Sequence, residues 1–136
     1  MHYSAKDIYE LWHRYAQKSK TEKLIDLYHE QAVFESPLVL AITDNQTGIL
    51  YGKEAIYQFL TEGAKRRPNE LVKWYRKKNF FLTKENMLVW EYPRQMPNGE
   101  QIDILELMEL KEGKIWNHRI YWGWRGFKQI SDSILK

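Results

Sequence analysis

The sequence predicts an α+β fold in which N-terminal helices gather on one face of a curved antiparallel sheet. Three observations carry that expectation. Apolar residues recur at helical spacing in three stretches, Ile8 to Tyr15, Leu24 to Tyr28 and Ile56 to Leu60, whereas residues from Val72 onward read as strand. The stretch from Gln101 to Phe127 then forms two long apolar strands around a tight Glu112-Gly113 turn.

The elements follow in order. Ser4 to Asp7 is a capping-box-like start, and Ile8, Leu11, Trp12 and Tyr15 repeat at i, i+3, i+4 and i+7, which makes an amphipathic first helix. Thr21 is placed to cap a second helix with Leu24, Leu27 and Tyr28 on its apolar face. The chain turns extended at Ala32-Val33-Phe34-Glu35-Ser36, and after Pro37 the segment Leu38 to Tyr51 reads as an apolar hairpin around Thr43 to Gly48. Gly52 opens a third helix with Ile56, Phe59 and Leu60 as its buried stripe. Strands are expected from Val72 to Leu82 and from Met87 to Gln95, before a Pro97-Asn98-Gly99 turn. No repeat, low-complexity tract or linker interrupts the chain, so one domain over residues 1–136 is expected.

The last hairpin depends on its turn. A Lys111-Glu112-Gly113 loop with Gly113 left-handed pairs Leu110 with Lys114 and sets Glu106 opposite His118. A two-residue Glu112-Gly113 loop sets Glu106 opposite Arg119 instead. The first register is the expectation, because Glu-Gly is not a favoured pair for two-residue loops. One face then carries Ile102, Ile104, Glu106, Met108 and Leu110 against Trp116, His118, Ile120, Trp122 and Trp124. The other carries Asp103, Leu105, Leu107 and Glu109 against Ile115, Asn117, Arg119 and Tyr121, too apolar for a wet surface and too charged for a sealed core. A homodimer through Leu105, Leu107, Arg119 and Tyr121 is the expected use of that face.

Composition narrows the classes. A chain of 136 residues, 43% of them hydrophobic, buries a sizeable core without staples. There is no cysteine, which excludes disulfides and thiolate chemistry, and no apolar run reaches the roughly 20 residues of a membrane span. The N-terminus MHYSAKDIYELW reads as a helix start and not a signal peptide, so a cytoplasmic protein is expected. Aromatic residues make up 15% of the chain, with six Trp and nine Tyr, a content that suits a pocket or interface lined with rings. His2, His13, His29 and His118 are scattered without metal-ligand spacing, and neither a metal nor a cofactor is expected. The basic stretch Lys65 to Lys78 interleaves Trp74 and Tyr75, but strand alternation sends its cations to both sides, so no nucleic-acid face results.

The order helix, helix, short strand, helix, then long antiparallel strands resembles the nuclear transport factor 2-like superfamily, particularly its SnoaL-like branch. The likeness rests on YHEQAVFESPL (Tyr28 to Leu38), YGKEAIYQFL (Tyr51 to Leu60), ELMELKEGKI (Glu106 to Ile115) and HRIYWG (His118 to Gly123). The resemblance implies a cone-shaped sheet with an internal pocket; it does not imply one function, since the fold hosts isomerases, cyclases, epoxide hydrolases, dehydratases and binding-only proteins. In the steroid isomerases of this fold a carboxylate base stands just before the proline of the early strand, where this chain has Ser36. Their oxyanion-hole acid lies in an acid-x-Met-x-apolar pattern that Glu106-Leu107-Met108-Glu109-Leu110 resembles, and their first-helix tyrosine maps to Tyr15 or Trp12. The acid that epoxide hydrolases and SnoaL-type cyclases place before the last strand's ring falls on Ile120. Neither set is intact.

A different polar pair remains. Glu106 and His118 are the candidate catalytic residues, because a carboxylate among Ile104, Met108, Ile120 and Trp122 feels desolvation and an imidazolium in opposite senses, a tension that acid/base catalysts use. Trp12, Tyr15, Phe34, Tyr57, Trp90, Tyr92 and Trp122 are candidate ring walls of a ligand pocket, with Glu35 and Ser36 at its rim. The expected function is binding of a small, hydrophobic, polyketide- or steroid-like molecule, with cofactor-independent isomerase, cyclase or lyase chemistry by proton transfer. The alternative is a non-catalytic dimeric binding or interaction module.

Overall fold

A computed structural model describes residues 3–66, 81–91, 94–95, 101–102, 104–124, 127–128 and 131. The expected α+β architecture is present. Helix α1 (Ala5–Gln17) starts with the capping box between Ser4 and Asp7 and buries Ile8, Trp12 and Ala16. Hydrogen bonds from Ser4 hold the Asp7 carboxyl below its ordinary range. Helix α2 (Thr21–Ile25) differs at its start: Lys20 occupies the N-cap without a side-chain bond, and Thr21 is the first helical residue, mostly buried.

Strand β1 (Tyr28–Glu35) pairs antiparallel with β2 (Ile49–Tyr51), but the chain between them is not the expected hairpin. Leu38–Ile42 forms helix α3. Its run of five apolar residues has no alternation to define two strand faces, and Pro37 enters in the helical region with its φ already set. The Ser36 Oγ accepts the Leu38 N–H at 3.1 Å, and Asn45 and Thr47 then reverse the chain by bonding each other and Ile49. Gly48 is required there, since a Cβ would lie 3.0 Å from the Ser36 carbonyl oxygen. Helix α4 (Lys53–Arg66) follows Gly52, whose φ of 90° lies in the left-handed region.

Strands β3 (Phe81–Lys84) and β4 (Met87–Glu91) form a hairpin, and the short β5 (Arg94–Gln95) and β6 (Gln101–Ile102) pair with each other. The expected strand residues 72–80 and the 97–99 turn lie outside the described residues. Strands β7 (Ile104–Lys111) and β8 (Lys114–Trp122) complete a six-stranded sheet ordered β2-β1-β8-β7-β4-β3. One junction departs from the antiparallel expectation: β1 runs parallel to β8, which closes the N-terminal strand pair onto the C-terminal hairpin. The buried stripes of α1, α2 and α4 meet the sheet in one core that includes Ile8, Leu24, Ile56, Leu88 and Met108. No helix among the described residues is long and apolar enough to cross a membrane.

Neither expected register holds along the whole of β7 and β8: the two-residue turn, the alternative to the expected three-residue one, forms, but it does not bring Glu106 opposite Arg119. The turn has two residues, Glu112 and Gly113, with φ of 55° and 72°, and pairs Lys111 with Lys114. A bulge then inserts Trp116, so that Leu110 faces Ile115 while Glu109 faces Asn117. Beyond it Glu106 is opposite Ile120 and Met108 opposite His118. The bulge restores the expected faces for Ile104 through Met108 and for His118 onward, and it exchanges the two residues beside the turn. Ile115, expected outside, is fully buried; Trp116, expected inside, packs edge-on to His29 under the Lys111 ammonium.

Candidate functional site

The inner face of the sheet is built in cross-strand rows. Leu88, Met108, His118, Phe34 and Leu50 form one, and Trp90, Glu106 and Ile120 the next. Glu106 and His118 are therefore diagonal neighbours, within reach of long side chains. The His118 Nε2 lies 2.7 Å from the Glu106 Oε1, with both residues at most 1% exposed.

A second bond engages the other ring nitrogen of His118. The Tyr28 hydroxyl is 2.8 Å from the His118 Nδ1 and accepts the Trp12 Nε1–H at 3.2 Å. An indole N–H only donates, which leaves the Tyr28 proton for Nδ1, and with that pairing the His118 Nε2–H donates to Glu106. Burial pushes the Tyr28 hydroxyl far above the ordinary phenol range, the nearby Glu106 charge adds to this, and the Trp12 bond only partly opposes it. Tyr28 stays a donor. The resulting chain, Trp12 to Tyr28 to His118 to Glu106, ends on a carboxylate whose Oε2 has no partner among the described residues.

That oxygen belongs to a side chain in the wall of an interior cavity of about 130 Å³. The deep end is buried and contains Trp12, Ala16, Phe34 and Glu106; half-buried Leu38, Leu60, Gly63, Ala64, Ile120 and Trp122 surround the outer part. The Trp122 Nε1 is likewise buried without a partner among the described residues. On α1, His13 Nδ1 donates to the Tyr9 carbonyl at 2.7 Å. Burial lowers the proton affinity of His13, opposed by that bond and by the Glu106 charge. Among the described residues no three His, Asp or Glu side chains converge closely enough to hold a metal ion.

Of the residues singled out in the sequence, Trp12, Tyr15, Phe34, Ser36, Ile104, Glu106, Ile120 and Trp122 line this cavity. His118 stands behind Glu106 and not in the wall. Trp90 and Met108 are fully buried in the core, with Trp90 packed against the Tyr9, Trp12 and His13 rings. Glu35 shares the opposite sheet face with Arg119, and Tyr57 reaches outward to Glu22 at 3.5 Å. Tyr92 lies outside the described residues. Tyr28 was not among the candidates, because its spacing reads as the end of a helical stripe and only the fold brings it to His118. Gly63 and Ala64 had a legible signal: the stripe Ile56, Phe59, Leu60 continues to them at three- and four-residue steps.

No protein-family model matches the chain, and no curated protein matches its sequence. Solved structures match over nearly its whole length. An NTF2-like protein of unknown function from Cytophaga hutchinsonii is 17% identical, over 94% of this chain and 97% of that chain, with a TM-score of 0.66. A SnoaL-like protein of unknown function from Burkholderia thailandensis is 16% identical over 88% of this chain and 93% of its own, with a TM-score of 0.72. The epoxide hydrolase/cyclase-like enzyme SalBIII, of pyran ring formation in the polyether salinomycin, is 15% identical over 89% and 92%, with a TM-score of 0.65. This chain therefore has the nuclear transport factor 2-like fold, in the form it shares with the SnoaL-like proteins.

Proposed function

We propose that the protein binds a small hydrophobic molecule in this cavity and moves a proton on it without a cofactor, as an isomerase, cyclase or lyase does. The observation that carries the reading is the Glu106 carboxylate, 1% exposed, with Oε1 held by His118 and Oε2 unpartnered beside apolar walls. A buried carboxylate with one oxygen engaged offers a single proton site to a ligand. In a carbon acid, the Glu106 Oε2 takes the proton next to a carbonyl, the electron pair moves into the new double bond, and charge gathers on the carbonyl oxygen. The Trp122 Nε1–H is a donor in the same wall for that oxygen. The protonated Oε2 then returns the proton to a second carbon, and the product is an isomer.

The test is a screen of hydrophobic carbonyl compounds by thermal stability, followed by assay of those that bind. Glu106→Gln keeps shape and binding and lowers turnover by about 10²-fold or more, the contribution of a general base. Turnover that survives in the Gln variant moves the catalyst elsewhere, with Tyr15 of the cavity wall next to test.

A second reading has its own observation. The outer sheet face exposes Leu82, Met87, Leu105 and Tyr121 around half-buried Leu107 and Arg119, and an apolar patch of this kind suits a homodimer in which Glu106 and His118 only tie strands together. Leu107→Asp then halves the mass measured by light scattering. An unchanged mass removes this face as the contact.

A further inference from the structure

The cavity beside Glu106 is small for a polycyclic ligand. Its volume of about 130 Å³ is close to the roughly 150 Å³ of an apolar cavity that holds one benzene ring. Pockets for drug-sized ligands begin at about 300 Å³. Two buried polar atoms of its lining side chains have no partner among the described residues, and they are complementary. The Glu106 Oε2 accepts and the Trp122 Nε1–H donates. Both atoms are buried, on side chains that are diagonal neighbours of the inner face, since Glu106 pairs with Ile120 and Trp122 with Ile104, so a hydroxyl or enol oxygen placed between them would meet both, with its proton on the carboxylate and a lone pair on the indole.

A third observation lies on α4. Gly63 sits inside the helix, where glycine is less favourable than alanine. Its backbone is not left-handed, and among the described residues an added Cβ would meet Ile42 Cδ1 at 3.7 Å, an ordinary contact. Neither backbone geometry nor crowding calls for glycine here. The open space in front of it does, because Gly63 and Ala64 line the cavity together with Ala16 of α1.

We propose that the cavity is a binding site for a planar one-ring compound bearing a hydroxyl or enol oxygen, which sits between Glu106 and Trp122 with its ring against Gly63. Gly63 sets the size limit. The inference rests on the role given above to Glu106, and it adds the ligand's size, its polar anchor and the residue that selects for both. It replaces the polycyclic substrate with a single ring.

Calorimetric titration of the full chain with phenol, benzene and 2-naphthol tests it without any need for turnover. Phenol is expected to bind saturably and to raise the melting temperature, and benzene to bind at least about tenfold more weakly, the ratio one lost hydrogen bond supplies. The two-ring 2-naphthol is expected to bind more weakly than phenol. Trp122→Phe brings phenol down toward benzene. Gly63→Leu fills the space, raises the melting temperature of the free protein and removes phenol binding. Should Gly63→Leu not fold, Gly63→Ala, whose Cβ has room, shows the same two changes at smaller size. Phenol no tighter than benzene, 2-naphthol as tight as phenol, or phenol binding unchanged in both Gly63 variants each overturns the proposal. Phenol binding without turnover of any carbon acid sinks the proton chemistry and leaves this site standing.

Discussion

Inward, the sheet sets Leu88, Met108, His118, Phe34 and Leu50 in one buried row and Trp90 beside Glu106 in the next. Outward, the same strands set Leu82, Val89, Leu107 and Arg119 in a row that stays partly in water, beside Leu105 at 36% and Tyr121 at 51% exposure. Each face carries what the other would normally hold: ionisable groups in the dry interior, apolar groups in solvent. The inner pair persists because every donor from Trp12 to His118 has an acceptor, so the desolvation of Glu106 is offset by a specific bond. Outside, the Arg119 guanidinium lies 3.3 Å from the Glu109 carboxylate with both side chains about one-third exposed, where water screens the attraction.

That contrast gives a ladder of expected effects. His118→Leu leaves the Glu106 carboxylate buried without its donor and should cost about 3–5 kcal/mol in urea unfolding. A Glu106→Leu/His118→Leu double variant should recover most of that loss, since no charge is then stranded. A loss under about 1 kcal/mol in the single variant would erase the distinction between the faces. Tyr28→Phe removes the hydroxyl that bonds both the Trp12 N–H and the His118 Nδ1, which should cost about 1–3 kcal/mol.

The inner side is also expected to respond to acid. Burial lowers the proton affinity of His13 below its ordinary 6.5, so the folded state favours the neutral ring. Its contribution is complete above pH 6.5 and is lost as the pH falls through the lower value of the folded protein. Melting temperatures at pH 7.5 and 5.0 should differ less in His13→Gln than in wild type, and an equal difference would assign the acid response to other groups. The smallest effect belongs to the outer pair: Arg119→Ala should change stability by no more than about 1 kcal/mol, and less still in high salt.

The first helix and the position of the turn at Gly113 were legible because their signals are local, whereas the turn has two residues where three were expected. Ser4 and Asp7 bond each other across three residues, and the stripe Ile8, Leu11, Trp12, Tyr15 needs only helical geometry to define a face. The face shared by Glu106 and His118 was legible for a similar reason. Strand parity survives any register change of two residues, and the observed pairing differs from the expected one by that amount.

What the sequence left open was settled by partners distant along the chain. Leu38–Ile42 has the apolar content of a strand or a helix, and in the fold it is a helix in contact with α4. The bulge at Trp116 depends on β1 lying alongside, where the Ile115 N–H reaches the Leu27 carbonyl at 2.8 Å. Nothing near Tyr28 in sequence marks it as a neighbour of His118, 90 residues away, until β1 runs parallel to β8. Local spacing therefore determined which side chains face inward, whereas the Glu106 chain of hydrogen bonds arose only from long-range strand pairing, whose energy no short window of sequence contains.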